Sequence, residues 1–409
     1  MAVLSLLVLI GITPYLSRHG NPFFSLGLIA FFFLLRFLFG ARTTPEMRKS
    51  FWAGGAFLGI QLFYLFFRLS SVGLGPCYQS IIFMSFFFAM LWAAPEMTSG
   101  QKLFLCLFSA AGLLVNMVSN IFIWLNVGAA RFISFYMRGS GPSNAAPTAF
   151  STAVVLAMGA GFIVFRNAPS RRVARSALLF VLFATFFLVF VMQRGTAFFL
   201  AFAMISGLIY CEIMDRFALS LKVILLLGGI GVLVWMAAGG LSVLLEGLLD
   251  YLDVPRLRDK VEAVMRFADS VDMEYAGGSL GRRFELTMNS VHTFLHSGMS
   301  FLIGVGDHRE TNWIIGNHSE LIDTFARYGI LGGGVFLWSL ARECKGVLSI
   351  SGLPRHSMMR RQLNFILLLF LVITVVGDFL ESFSGSQLFV TLPLAAHCLH
   401  ERLGRTDAP

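Results

Sequence analysis

Apolar side chains in this chain gather into long blocks, and polar residues are confined to the gaps between them. The blocks fall near residues 2–16, 23–40, 51–69, 74–94, 103–125, 147–165, 177–193, 196–213, 221–243, 328–344, 362–380 and 387–400. An α-helix rises about 1.5 Å per residue, so runs of roughly 17–23 residues match a hydrocarbon layer about 30 Å thick. The pattern predicts an all-α polytopic membrane protein with about twelve transmembrane helices. One segment breaks the rhythm. Residues 246–327 alternate apolar and charged positions, as in DYLDVPRLRDKVEAVMRFADSVDMEYAGG, and are too polar to span. Within it Leu249, Leu252, Leu257, Val261, Val264, Met265 and Phe267 recur near helical spacing, which predicts an amphipathic helix resting on the bundle. Gly277 and Gly278 then mark a break. No repeat of fixed period and no low-complexity linker is present. The expected organisation is helices 1–9 over 1–243, a loop domain over 244–327, and helices 10–12 with a tail over 328–409.

Composition agrees with lipid as the main solvent. Of the 409 residues 57% are hydrophobic and 13% charged, with mean hydropathy +0.77, where soluble domains carry about 25% charged residues. Phe outnumbers Tyr by 44 to 8, as expected of side chains facing hydrocarbon, where a phenol hydroxyl needs a partner. The five cysteines show no CxxC or Cys/His spacing, so neither a disulfide framework nor a zinc site is indicated.

The net charge of +9 does not point to nucleic acid, because the basic residues sit in short connections. With the N-terminus inside, seventeen Lys and Arg fall in internal connections and the tail, against Arg18, Arg68, Arg131, Arg138 and Arg194 in short external ones. The positive-inside rule then puts both termini in the cytoplasm and the long loop outside. Residues 2–16 lack a basic n-region and a small-x-small cleavage site, and are expected to be a retained first span.

Candidate chemistry concentrates on the external side. Arg194 lies in MQRGT between two spans, Arg282 and Arg283 follow the glycine break, and His318 lies in GNHSE just ahead of the next span. A guanidinium is a permanently charged fork that matches phosphate oxygens, so several of them at the membrane boundary suit a lipid-linked pyrophosphate. Any single boundary arginine more often snorkels or pairs with a carboxylate. An imidazole can take a proton from a sugar hydroxyl near neutral pH when a neighbour fixes its tautomer, and Glu320 or Asp323 is placed for that. Asn317 is read either as part of this site or as a helix cap. Arg131, Arg138 and Asn144 sit in a Gly- and Pro-rich external turn, where Arg138 either meets an anionic headgroup or anchors the interface. The GVG at 304–306 is too short for a phosphate loop, and no pair of loop histidines has metal-ligand spacing, so no metal and no cofactor is expected.

The run GNHSELIDTFARYGILGG around His318 resembles the signature of the O-antigen polymerase and O-antigen ligase superfamily. MQRGT is similar to its short "SRG" motif, with Gln193 at the Ser position. Arg283, the apolar stretch after it and Gly304, Val305 and Gly306 resemble its "R…GxG" segment, and RGSGPSNAAP its "RxxG…NPN" loop. The resemblance implies a GT-C-like, metal-independent inverting glycosyltransferase of the bacterial inner membrane, with its active site facing the periplasm. Its substrates would be undecaprenyl-pyrophosphate-linked oligosaccharides, as donor and acceptor, and a chain-length regulator protein a further partner. Carried over, Arg194 and Arg283 would hold the pyrophosphate and His318 would act as base. Arg282, Arg138, Arg131, Asn144, Asn317, Glu320 and Tyr328 would contact substrate. The expected activity is polymerisation of surface-polysaccharide repeat units. The alternatives are a ligase delivering glycan to a lipid A core, and a flippase of lipid-linked oligosaccharide, which would carry its charges along the interior of the spans.

Overall fold

The computed structural model describes residues 22–38, 44–67, 75–127, 147–191, 279–306, 315–316, 319–376 and 382–406, with isolated positions near the N-terminus and at 204 and 206. Among them the chain is helical and contains no strand. The helices are α1 (Pro22–Leu38), α2 (Pro45–Phe67), α3 (Gly75–Ala93), α4 (Ser99–Val127), α5 (Pro147–Arg166) and α6 (Arg171–Phe186). After them come α7 (Ser279–Leu295), α8 (Gly298–Ile303), α9 (Glu320–Ser351), α10 (Met358–Val376), α11 (Ser382–Ser386) and α12 (Leu392–Thr406). Most begin or end within a few residues of an expected apolar run. Runs 196–213 and 221–243, apart from two isolated positions, and the amphipathic stretch 249–267 lie outside the described residues. Among the described residues one helix, Ser99–Leu125, is long and apolar enough by itself to cross a membrane, while Gly27–Leu38, Ser80–Glu96 and Phe150–Arg166 are shorter apolar helices. The described residues therefore do not by themselves give the expected twelve spans.

The helix ends sort into two groups. At one end Arg36 donates to Glu96 at 2.7 Å and to the Trp92 carbonyl at 2.8 Å. There too Arg342 donates to Glu46 at 2.6 Å, Asn167 approaches Gln362 at 3.4 Å, and His397 lies 2.8 Å from Lys102 and 3.1 Å from Glu401. These contacts join the C-terminal ends of α1 and α3 to each other, the end of α5 and the C-terminal part of α9 to the N-terminal ends of α10 and α2, and the middle of α12 to the N-terminal end of α4. Antiparallel neighbours along the sequence give this alternation. Arg36, an arginine inside an apolar run, is thus explained by a carboxylate at its own level. The carboxyls of Glu46 and Glu401 are held below the usual carboxylate range, Glu46 by its hydrogen bonds from Arg342 and Lys49, and Glu401 by the Ser99 hydroxyl and then by His397 and Lys102.

The opposite end of α2 and the start of α9 meet α7 and α8. The Tyr64 hydroxyl donates to the Ile303 carbonyl, and its ring packs against Tyr328 with centroids 5.1 Å apart. The core between the two ends is built on α9. Phe336 packs at a tilt against Phe57 of α2, Gly332 faces Ile60, and Gly346 lets the Phe87 ring of α3 approach the α9 backbone. On the outside, many large apolar side chains have no cover: Phe37 is 76% exposed and Phe66 73%.

Candidate functional site

The N-terminal part of α9 forms a compact unit with α7 and α8, and backbone conformation explains it. Gly329 breaks α9 at φ 64° and ψ −170°, a region open essentially to glycine alone. The break falls at the expected boundary between loop and span. The Ala326 and Arg327 carbonyls just before it accept from the amides of Val305 and Gly306 at 3.0 and 2.8 Å. Gly304, at φ 72°, and Gly329 lie back to back. A Cβ on Gly304 would overlap the Arg327 carbonyl, and one on Gly329 would overlap the Leu302 carbonyl. The GVG run is therefore a backbone clip that fastens α8 to the kink of α9. Ser297 and Ser300 fix the start of α8 by a reciprocal capping box at 3.1 and 2.8 Å.

A second fastening lies between α7 and the first turn of α9. Asp323 is 1% exposed and uses both carboxylate oxygens. Oδ1 accepts from the Ser290 hydroxyl at 2.5 Å, and Oδ2 from the Ser319 amide at 3.1 Å. Ser290 in turn accepts from the Gly316 amide at 2.8 Å. Gly316 presses against the Leu286 carbonyl, leaving no room for a Cβ. Ser319 caps α9 by accepting from the Ile322 amide at 3.2 Å, so the cap is Ser319 and not Asn317.

The expected site residues divide as follows. Arg194, His318, Asn317, Arg131, Arg138 and Asn144 lie outside the described residues. Arg282 and Arg283 belong to α7, and their side chains also lie outside them. Along α7, Leu286, Ser290 and Thr293 form the stripe that turns toward the rest of the protein, and positions 282 and 283 border it on either side, 282 by its spacing to Leu286 and Thr293 and 283 by its spacing to Leu286 and Ser290. The segment carrying Arg194 follows a π-helical turn, Phe187–Val191, that ends α6. Glu320 is half-buried in the first turn of α9, and Tyr328 is buried between Tyr64 and Phe57.

Reasoning from the sequence missed Ser290, because a lone serine on an amphipathic helix carries no signal until its partner is known. Arg327 was missed as well. It is half-buried one turn beyond Asp323 on the same face of α9, and its position at the end of a polar loop was the available clue. Among the described residues no three His, Cys, Asp or Glu side chains are grouped to hold a metal ion. Compared with known proteins, the chain matches no family model and no curated protein.

Proposed function

We propose that this chain is a polytopic membrane glycosyltransferase that polymerises lipid-linked repeat units. Donor and acceptor would be undecaprenyl-pyrophosphate-linked oligosaccharides, and the site would face the periplasm. The membrane setting is supported by the uncovered apolar side chains and by α4, of whose apolar window only 28% is buried. A core helix of a water-soluble protein hides most of that surface, since exposed apolar area costs about 25 cal/mol per Å². The alternation of helix ends supports the assigned topology: the contacting residues Arg36, Glu46, Glu96, Lys102, Arg342 and Glu401 all belong to the end expected inside.

The observation that carries the catalytic reading is the joining of residues 316 and 319 to α7. These positions flank His318 in the sequence, and Arg283 lies two turns before Ser290 on the helix to which they are joined, so the residues read as base and pyrophosphate ligand belong to segments tied to one another. In the proposed step His318 takes the proton of the attacking sugar hydroxyl, the hydroxyl oxygen bonds to the anomeric carbon, and the anomeric bond to the pyrophosphate breaks. Guanidinium groups from Arg194 and Arg283 balance the charge left on the departing lipid pyrophosphate.

The test is elongation of a defined lipid-linked repeat by purified protein in vesicles. Longer lipid-linked glycans are expected from the wild type, and none from His318→Ala or Arg194→Ala variants that still insert. Transfer to a lipid A core and not to a second repeat would make the protein a ligase. Unaltered glycans relocated across the bilayer would make it a flippase. Wild-type chain lengths from both variants would remove the proposed mechanism.

A further inference from the structure

We propose that Ser290 and Asp323 act as a positioning pair that ties Gly316 and Ser319, the residues flanking Asn317 and His318 in the sequence, to α7. The proposal deepens the glycosyltransferase reading and rests on it. Asp323 alone resembles an ordinary helix-capping device, reaching back to the amide of the N-cap residue Ser319. A cap requires only one oxygen. The second goes to a different helix, to a serine hydroxyl that is itself fully buried and that receives the Gly316 amide. The amides on both sides of residues 317 and 318 are thus tied to one carboxylate, Ser319 directly and Gly316 through Ser290. The packing of Gly316 against the Leu286 carbonyl pins the same point a third time.

Burying a carboxylate is unfavourable unless its lone pairs are satisfied, so removing one partner disturbs the others. Because both oxygens of Asp323 are engaged by Ser290 and Ser319, it acts on its neighbours through the backbone. A base working on a sugar hydroxyl is sensitive to such placement, since a displacement of about 1 Å can cost on the order of a hundredfold in rate.

The experiment uses the full-length protein in vesicles with a defined lipid-linked repeat, comparing wild type, Ser290→Ala, Asp323→Asn and the double variant. Rates are normalised to folded, monodisperse protein, and hydrogen exchange is followed at residues 316 and 319. Each single variant is expected to lower kcat by roughly ten- to a hundredfold, with KM for the lipid-linked repeat within about twofold of wild type. The two amides should exchange faster in both variants. The double variant should lose no more than the worse single one, because both changes open the same bracket. Wild-type kcat in Ser290→Ala, a loss confined to KM, or multiplying losses in the double variant would overturn the positioning role. A wild-type protein that elongates no lipid-linked glycan would instead sink the enzymatic reading, and exchange at the two amides would still report on the bracket itself.

Discussion

Replacing Gly329 by alanine should detach α8 from α9 without unfolding the bundle. The residue sits at φ 64° and ψ −170°, where an alanine pays about 1–3 kcal/mol in backbone strain. Its new Cβ would also overlap the Leu302 carbonyl, which is backbone and cannot swing aside as a side chain can. Relief requires α8 to withdraw, and that breaks the two hydrogen bonds from Val305 and Gly306 to α9, each contributing about 1 kcal/mol. Together the effects come to ~3–5 kcal/mol. The loss is local, because α8 is a single short helix whose remaining ties, its cap, the Tyr64 hydroxyl on the Ile303 carbonyl and the packing of Phe301 on Phe294, keep it near the bundle. Hydrogen exchange of the purified protein reads it directly. Since 1.4 kcal/mol is a factor of ten, the amides of Val305 and Gly306 should exchange at least about a hundredfold faster. Gly334→Ala is the control, as nothing lies within 4 Å of a Cβ there and the backbone is helical. Unaltered exchange in Gly329→Ala, or equal effects in the two variants, would refute the clip.

Three further outcomes are expected. Ser319→Ala keeps the backbone amide that Asp323 accepts but loses the cap to Ile322, and should destabilise the start of α9 by about 1 kcal/mol, measured as a shift in thermal midpoint. A variant retaining only Trp52, which is 75% exposed, should have its fluorescence quenched by brominated acyl chains in vesicles, and quenching only by aqueous iodide would contradict a lipid-facing α2. The ion-pair end should be acid-labile. Glu46 and Glu401 are held below their ordinary value of 4.5, so their contribution is fully present above that pH and is lost as pH falls through the depressed folded-state values. Unfolding midpoints followed below pH 4.5 should drop, and Arg342→Met should reduce that dependence; a profile identical to wild type would argue against the Glu46 contact.

The helices were legible because long apolar runs can satisfy their backbone only within themselves, so block length alone predicts element type and approximate ends. Of the Lys and Arg counted to the internal side, Arg342 joins α9 to α2 and Lys102 joins α4 to α12, whereas Arg36, inside an apolar run, joins α1 to the residues that follow α3. Helix α9 begins at Glu320, ahead of the apolar run expected from 328, because its first turns are amphipathic and closed by a serine cap. The role of GVG as a backbone clip was not legible, because its partner, the kink at Gly329, lies more than twenty residues along the chain.

Sequence by itself determined the helical class of the described residues and the approximate ends of most of their helices, since these follow from local hydrophobicity. Only the tertiary structure decided that Asp323 directs one oxygen to its own helix and one to Ser290, and that Gly316 reaches the same serine. Such choices depend on the rotation of one helix against another and on which buried polar atoms find partners, and a one-dimensional pattern does not encode either.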